Sequence, residues 1–285
     1  MSGAAKSDVV NRSRPWRVVT IAGVGLIGGS FGLALRKAGF EGRIIGVSSP
    51  RTVQAALERG AIHEALPLAE AAAQSDVVFL AQPIETILET LSVLDRYVRP
   101  GTLITDAGST KAAIVKRAEE SIHSGRFIGG HPMAGKEARG VEAADADLFR
   151  GRPWVLTAPA PQLEKWIDKL GARLVILPAA EHDRLVGMVS HLPQLLSTAL
   201  ASTFAHELDV ARIAGPAAID LTRLALSPYE IWRDIFATNT AEIDAALASF
   251  IARLTEIRAN LTNNPAMASE FEKAAAAARA LRKLA

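Results

Sequence analysis

No cysteine occurs in this chain of 285 residues, so disulfides, thiolate catalysis and cysteine-based metal sites are excluded. A reducing compartment is compatible with that absence. Aromatic residues are scarce at 5%, too few for platforms on which bases stack. A dominant charge is also lacking: 32 basic against 30 acidic residues leave +2, without the concentrated basic footprint of a nucleic-acid binder. No uninterrupted apolar run reaches transmembrane length. Met1 to Trp16 lack the apolar segment of a signal peptide and are small and polar, with Lys6, Arg12 and Arg14. They read as a disordered start, residues 1–16, on a soluble cytoplasmic protein. What is abundant is apolar: 49% hydrophobic residues, over a length that allows two domains.

Punctuation divides the chain into elements. Arg17 to Ala22 reads as a buried strand, and Leu26 to Ala38 as a helix ended by Gly39. Arg43 to Val47 is a second strand, and Thr52 to Arg59 a second helix ended by Gly60. Asp76 to Ala81 is a third strand, after which Pro83 opens a helix, since its missing N–H costs nothing there. Thr102 to Thr105 is a fourth strand, followed by a helix from about Lys111. Phe127-Ile128, Trp154 to Thr157 and Arg173 to Leu177 are shorter strand candidates. Such alternation predicts an α/β unit over residues 17–179, a doubly wound parallel sheet with helices on both faces. From Glu181 onward no strand is evident, and helices punctuated by Gly215-Pro216, Ser227-Pro228 and Asn263-Asn264-Pro265 predict an all-α unit over residues 180–285. That half exposes more apolar helix surface than it can cover alone, which predicts a homodimer.

Gly23-Val24-Gly25-Leu26-Ile27-Gly28 follows the first strand and opens a helix, the context in which this glycine spacing cradles a dinucleotide. Gly23 permits the tight turn, Gly25 lets the backbone approach a pyrophosphate, and Gly28 lets helix and strand pack closely. The helix N-terminus attracts the phosphate charge. A glycine-rich turn without ligand is the alternative. Leu26 and Ile27 in this loop, with Ala81 and Pro83 after the third strand, are further cofactor contacts. The ribose-recognition position falls on Ser48, followed by Ser49, Pro50 and Arg51. No carboxylate stands there to hold a 2′-hydroxyl or repel a 2′-phosphate. Hydroxyls and the Arg51 guanidinium suit that phosphate, which favours NADP over NAD; otherwise Arg51 is a solvated first turn of helix.

Of six histidines, His63, His123, His182 and His206 have no supporting context and read as surface or packing residues. His131 stands in Gly129-Gly130-His131-Pro132-Met133-Ala134-Gly135, on a glycine-flanked turn just past Phe127-Ile128. Ligands sit beyond the carboxyl ends of strands in such a sheet, and a neutral imidazole accepts protons near pH 7. His131 is therefore the candidate general base, against the alternative of a structural turn histidine. Asp106-Ala107-Gly108-Ser109-Thr110-Lys111 reaches the same rim. Ser109 or Thr110 caps the next helix, contacts substrate or nicotinamide, or does both. In Ser190-His191-Leu192-Pro193-Gln194 a proline within a helix either bends it or shapes a pocket flanked by His191 and Gln194. Arg223 and Trp232 lie further along; an arginine suits a dicarboxylate through bidentate pairing.

Taken together, GVGLIGGSFGLAL, DAGSTK, GGHPMAGKEARGVEAA, SHLPQLLSTALA, DLTRLA and IWRDI resemble the prephenate/arogenate (cyclohexadienyl) dehydrogenase family of tyrosine biosynthesis, from about Val18 to Ile235. The resemblance implies a Rossmann-like domain followed by an all-helical dimerisation domain. It implies oxidative decarboxylation of prephenate or arogenate, with hydride passing to NAD(P)+, the hydroxyl proton taken at His131 and the ring carboxylate leaving as carbon dioxide. It places Ser109 near that hydroxyl and the nicotinamide, Arg223 on a substrate carboxylate, and Trp232 at the site's border from the partner subunit; His191 and Gln194 beside the kink and Thr110 on the rim are expected around the substrate. No metal, membrane or nucleic acid is implied. Gln194 stands where some relatives carry a second histidine, and Ile219 where some carry a lysine. Both departures remove positive charge and lean mildly toward arogenate, whose side chain bears an ammonium, or toward relaxed use of both substrates. Glu137 meets that ammonium or is a helix-start carboxylate. Neither a fused mutase segment nor an appended regulatory domain is expected.

Two other readings stand beside this one. Another two-domain dehydrogenase, for hydroxy acids or imino acids, commonly uses a lysine in its helical half, yet Glu181 to Asn260 contains none. A nucleotide-sensing protein without catalysis would keep its cofactor affinity after loss of His131.

Overall fold

The computed structural model describes residues 15–207 and 209–284. The first unit is built on β1 (Val18–Ala22), β2 (Arg43–Val47), β3 (Glu64–Ala65), β4 (Val77–Leu80), β5 (Leu103–Asp106) and β6 (Arg126–Ile128). All pair in parallel, in the order β3-β2-β1-β4-β5-β6. The order reverses between β1 and β4, the topological switch point where such sheets bind ligands. Runs such as Val77-Val78-Phe79-Leu80 are apolar throughout because helices cover both faces, leaving each residue buried. Those helices are α1 (Leu26–Lys37), α2 (Pro50–Glu58), α3 (Leu68–Gln74), α4 (Ile84–Leu94) and α5 (Ala112–Ser121). The two-residue β3 and the alanine-rich α3 carry too little periodicity to be legible in the sequence.

The last three strands depart from expectation. His131 lies not on a turn but in β7 (Gly130–Pro132), which pairs antiparallel with β8 (Pro153–Leu156). β8 pairs in parallel with β9 (Arg173–Ile176) across α6 (Pro161–Lys169). These three strands form a second, separate sheet instead of extending the first. The chain leaves the main sheet at Gly129-Gly130, where a side chain on Gly130 would lie 2.6 Å from the Asp106 carbonyl oxygen. Trp154 on β8 packs against Phe149, Phe31 and Phe79 at ring separations of 5.0, 5.9 and 6.1 Å, fusing the two sheets into one core.

The expected disordered start, residues 1–16, lies outside the described residues apart from Pro15 and Trp16, and at Trp16 the expectation fails. Trp16 is buried, stacks on Trp166 at 6.1 Å and donates its indole N–H to Gln162 Oε1 at 2.9 Å. A large ring finding an aromatic partner outweighs the polarity of its neighbours.

The helical half runs through α7 (Ala179–Val186), α8 (Leu192–Phe204), α9 (Val210–Ile213), α10 (Pro216–Thr222), α11 (Tyr229–Thr238), α12 (Thr240–Ala259) and α13 (Asn264–Leu284). No strand occurs among its described residues. It docks on the first unit through apolar and polar contacts together. Ile235 and Ile243 enter the same apolar cluster as Ile84, Ile87 and Ile114. Two aspartates of the helical half reach the N-termini of sheet helices. Asp183 accepts from the Lys111 and Ala112 N–H groups at 2.7 and 2.8 Å, and Asp234 from the Glu85 N–H at 3.2 Å. Each carboxylate satisfies helix-terminal donors and the positive end of a helix dipole. Those helix starts face the carboxyl ends of the strands, so the docking seam and the ligand rim coincide.

Candidate active site

The glycine loop has the geometry its spacing predicts. Gly23 has φ +90°, and a side chain there would lie 2.6 Å from the Ala81 carbonyl oxygen. One on Gly28 would lie 2.1 Å from the Gly23 oxygen. Around Gly25, by contrast, nothing described lies within 4 Å of where a side chain would be. Gly25 caps α1 without any side-chain bond to its first N–H groups, leaving open space at a positive helix end. That arrangement fits a dinucleotide pyrophosphate. Leu26 and Ile27 are half-buried in the first turn. Ala81 backs the loop through its N–H bond to the Ala22 oxygen at 2.7 Å. Pro83 is the N-cap of α4, one position before the first helical residue where it was expected. Ser48, Ser49 and Arg51 are exposed after β2. α2 starts at Pro50, two residues early, because Ser49 caps it by accepting from the Thr52 N–H at 3.4 Å.

β5 ends in a device that the sequence reading passed over. Asp106 and Lys111 form an ion pair with neither side chain exposed. Asp106 Oδ1 accepts from the Gly130 N–H at 2.9 Å, while Lys111 Nζ donates to the Gly130 oxygen at 2.8 Å. The pair thereby grips both polar backbone atoms of the residue preceding His131. Between them Ser109 is half-buried. Thr110 is fully buried, its hydroxyl 2.7 Å from that of Thr238, which itself donates to the Asp234 oxygen. Thr110 therefore donates across the docking seam. The expectation that Ser109 or Thr110 caps α5 is overturned: the cap comes from Asp183, in a different unit.

His131 is half-buried, and its Nδ1 lies 2.9 Å from His182 Nε2. His182 in turn places Nδ1 2.7 Å from Asp183 Oδ1. His182, assigned no role from sequence, is thus the neighbour of the candidate base. Burial chiefly, and then the neighbouring His182, Lys111 and His191, which disfavour a cation on it, hold the His131 imidazole well below the usual histidine range, so it is neutral near pH 7.

The Ser190–Gln194 segment is more than a bend. Gly187–His191 form a π-turn, in which the Leu192 N–H bonds the Gly187 oxygen, and Pro193 follows at the start of α8. A wide turn accommodates a proline that lacks the donor a regular helix needs, and such bulges mark functional sites. His191 is buried, 3.2 Å from Asn239 Nδ2, with its ring edge-on to Trp232 at 5.9 Å. Desolvation, opposed by Asp183 and assisted by His182, lowers its pKa to about 4. Gln194 is buried and donates to the Leu224 oxygen at 2.9 Å, supporting the 3₁₀ turn Arg223–Leu226 on which Arg223 sits. Trp232 donates to Ser227 Oγ at 2.9 Å. Arg223 is exposed and reaches Glu137 Oε1 at 3.4 Å across the seam. Glu137 starts no helix; it lies in the irregular segment after β7.

Comparison with known proteins now decides the family. Residues 31–176 match the family model for the prephenate dehydrogenase nucleotide-binding domain, and residues 178–273 the model for its dimerization domain. The chain belongs to the prephenate dehydrogenase family. It is 36% identical over 260 residues to the prephenate dehydrogenase of Lactococcus lactis subsp. cremoris, covering 88% of this chain and 73% of that one. Among solved structures it is similar to the A. aeolicus prephenate dehydrogenase in complex with hydroxyphenyl propionate and NAD+, with a TM-score of 0.85, 30% identity and coverage of 94% and 98% of the two chains. It is similar also to Synechocystis arogenate dehydrogenase, with a TM-score of 0.75, 30% identity and coverage of 87% and 92%. No helix among the described residues is long and apolar enough to cross a membrane.

Proposed function

We propose that this family member oxidatively decarboxylates prephenate or arogenate with a nicotinamide dinucleotide, using His131 as its base. The observation that carries this reading is a neutral, half-buried imidazole held at the ligand rim by the Asp106–Lys111 grip on Gly130. Gly23, Gly25, Leu26, Ile27 and Gly28 hold the dinucleotide, with Ala81 and Pro83 beside them, and the bound nicotinamide supplies the hydride acceptor. His131 accepts the proton of the substrate hydroxyl as that carbon gives up hydride. The carbon–carbon electron pair of the departing carboxylate completes the aromatic ring, so the product is a phenol. His131 then returns the same proton to the phenolic oxygen. Ser109 hydrogen-bonds the hydroxyl, His191 lines the pocket, and Trp232 borders the site of the partner subunit. Arg223 takes a carboxylate; its partner Glu137 is exposed, and exposed pairs are weak competitors. Thr110 and Gln194, with their donors committed inside the fold, support the site rather than touch the substrate.

The finer readings rest on particular residues. Exposed Ser48 and Arg51, with no carboxylate between, favour NADP over NAD. Residues 17–179 form the dinucleotide unit and 180–285 the dimerisation unit. Ile213, Leu226 and Phe271 are large apolar side chains left 87%, 81% and 71% exposed in the helical half, which supports a homodimer formed through it. The test is reduced-nicotinamide formation in four mixtures, prephenate or arogenate with NAD+ or NADP+. Turnover in any of them, highest with NADP+, is expected; silence in all four from protein that binds the cofactor would overturn the reading. A monomeric mass in solution would overturn the dimer.

A further inference from the structure

The donors and acceptors around His131 determine which of its nitrogens carries the proton. The Asp183 carboxylate only accepts, so the proton between it and His182 belongs to His182 Nδ1. A neutral His182 then presents a bare Nε2 to His131 Nδ1, 2.9 Å away. His131 must place its proton on Nδ1, which leaves Nε2 as the free lone pair. A second proton on His182 would reverse this bond. His131 would accept at Nδ1 and carry its proton on Nε2, with nothing to offer a substrate hydroxyl. Two features favour the first arrangement. His182 and Asp183 are 1% and 2% exposed, so a cation there is desolvated. Asp183 is already neutralised in part by the Lys111 and Ala112 N–H groups at the start of α5. Lys111 and His191 are the other titratable groups facing this cluster.

We propose that His182 and Asp183 are positioning residues that set the working tautomer of His131 and share its proton during turnover. Resting on the assignment of His131 as base, the step runs as follows. The substrate O–H bond breaks as a proton binds His131 Nε2. The imidazolium then shares its Nδ1 proton with His182 Nε2, while Asp183 faces the resulting charge. As the phenol forms, the Nδ1 proton is again held by His131, and Nε2 returns its own to the phenolic oxygen. No proton needs to leave the protein, which suits a relay whose inner members are closed to solvent. The relay also crosses the docking seam: the base sits on β7, and the groups that orient it sit on α7. The base is therefore correctly protonated only when the two units are docked.

The test uses the full-length protein with ¹⁵N-labelled histidine and three variants. The wild type is expected to show His131, assigned by its loss in H131N, with the proton on Nδ1 and a bare Nε2. His182→Leu removes the acceptor. It is expected to move that proton to Nε2 and to lower kcat on the order of 100-fold, with KM for substrate and cofactor little changed. His182→Gln spaces its amide nitrogen and oxygen like the two ring nitrogens, so it bonds Asp183 and accepts from His131; it is expected to restore the Nδ1 tautomer and most of kcat. A wild-type His131 protonated on Nε2, or a folded H182L that turns over normally, would overturn the relay. An H131N variant that stays active would instead overturn the base assignment itself, so the two failures are distinguishable. An H182L that does not fold leaves the wild-type tautomer and H182Q as the deciding measurements.

Discussion

Asp106 and Lys111 are five residues apart, wholly buried, and together hold the N–H and the carbonyl of Gly130. A buried pair of this kind contributes little net stability over an apolar pair, yet breaking it strands a charge. Lys111→Met is therefore expected to destabilise the fold by about 3–5 kcal/mol. Lys111→Met with Asp106→Leu is expected to cost less than either alone, because no unpaired charge remains. Urea unfolding of all four proteins checks this, and additive losses would contradict it.

Activity should persist into acid. The base must be unprotonated, and burial with neighbouring positive charge holds His131 well below its ordinary value. The acid limb of kcat/KM is expected below the usual histidine pKa of about 6.5. A limb at or above that value would show that burial does not govern the base.

Stability should move with pH as well. A histidine whose folded pKa is lowered adds stability above its unfolded value and loses it as pH falls toward the folded one. For His191 the window runs from about 6.5 down to about 4, and full passage is worth about 3 kcal/mol. His191→Gln is expected to lose less stability than wild type between pH 7 and pH 4.5. Equal losses in urea titrations would remove His191 from the account.

The glycine loop allows its two jobs to be separated. Gly25→Ala meets no protein atom within 4 Å, so the fold should keep its unfolding midpoint while dinucleotide affinity falls at least 10-fold. Gly28→Ala meets the Gly23 oxygen at 2.1 Å and should lower stability and affinity together. Melting and dinucleotide titration distinguish them; a stable, tightly binding Gly25→Ala variant would contradict the pyrophosphate site.

Arg223→Ala is expected to raise the substrate KM by roughly 10- to 100-fold, the loss of a charged hydrogen bond. The unfolding midpoint should not move, since the Glu137 partner is exposed. Steady-state kinetics decide it, and an unchanged KM removes Arg223 from the site. Ser48→Asp places a carboxylate at the ribose position and should shift preference toward NAD+; undiminished use of NADP+ would contradict the loop reading.

Local physics was enough for most of the first unit. Five residues of apolar strand, a Gly-x-Gly-x-x-Gly turn and glycine helix stops each act within a few residues, so β1, α1 and β2 lie where their sequence puts them. His131 and Arg223 could be singled out because their neighbours along the chain are distinctive. What tertiary structure alone decided were contacts between residues far apart. His182 reaches His131 across 51 positions, and Asp183 caps Lys111 across 72. The strands β7 to β9 left the main sheet because Gly130 packs against Asp106 and Trp154 joins the aromatic core. A carboxylate on α7 has no local sign that it will end a helix in another unit, because its partner is a row of bare N–H groups that exists only once that helix has formed and docked.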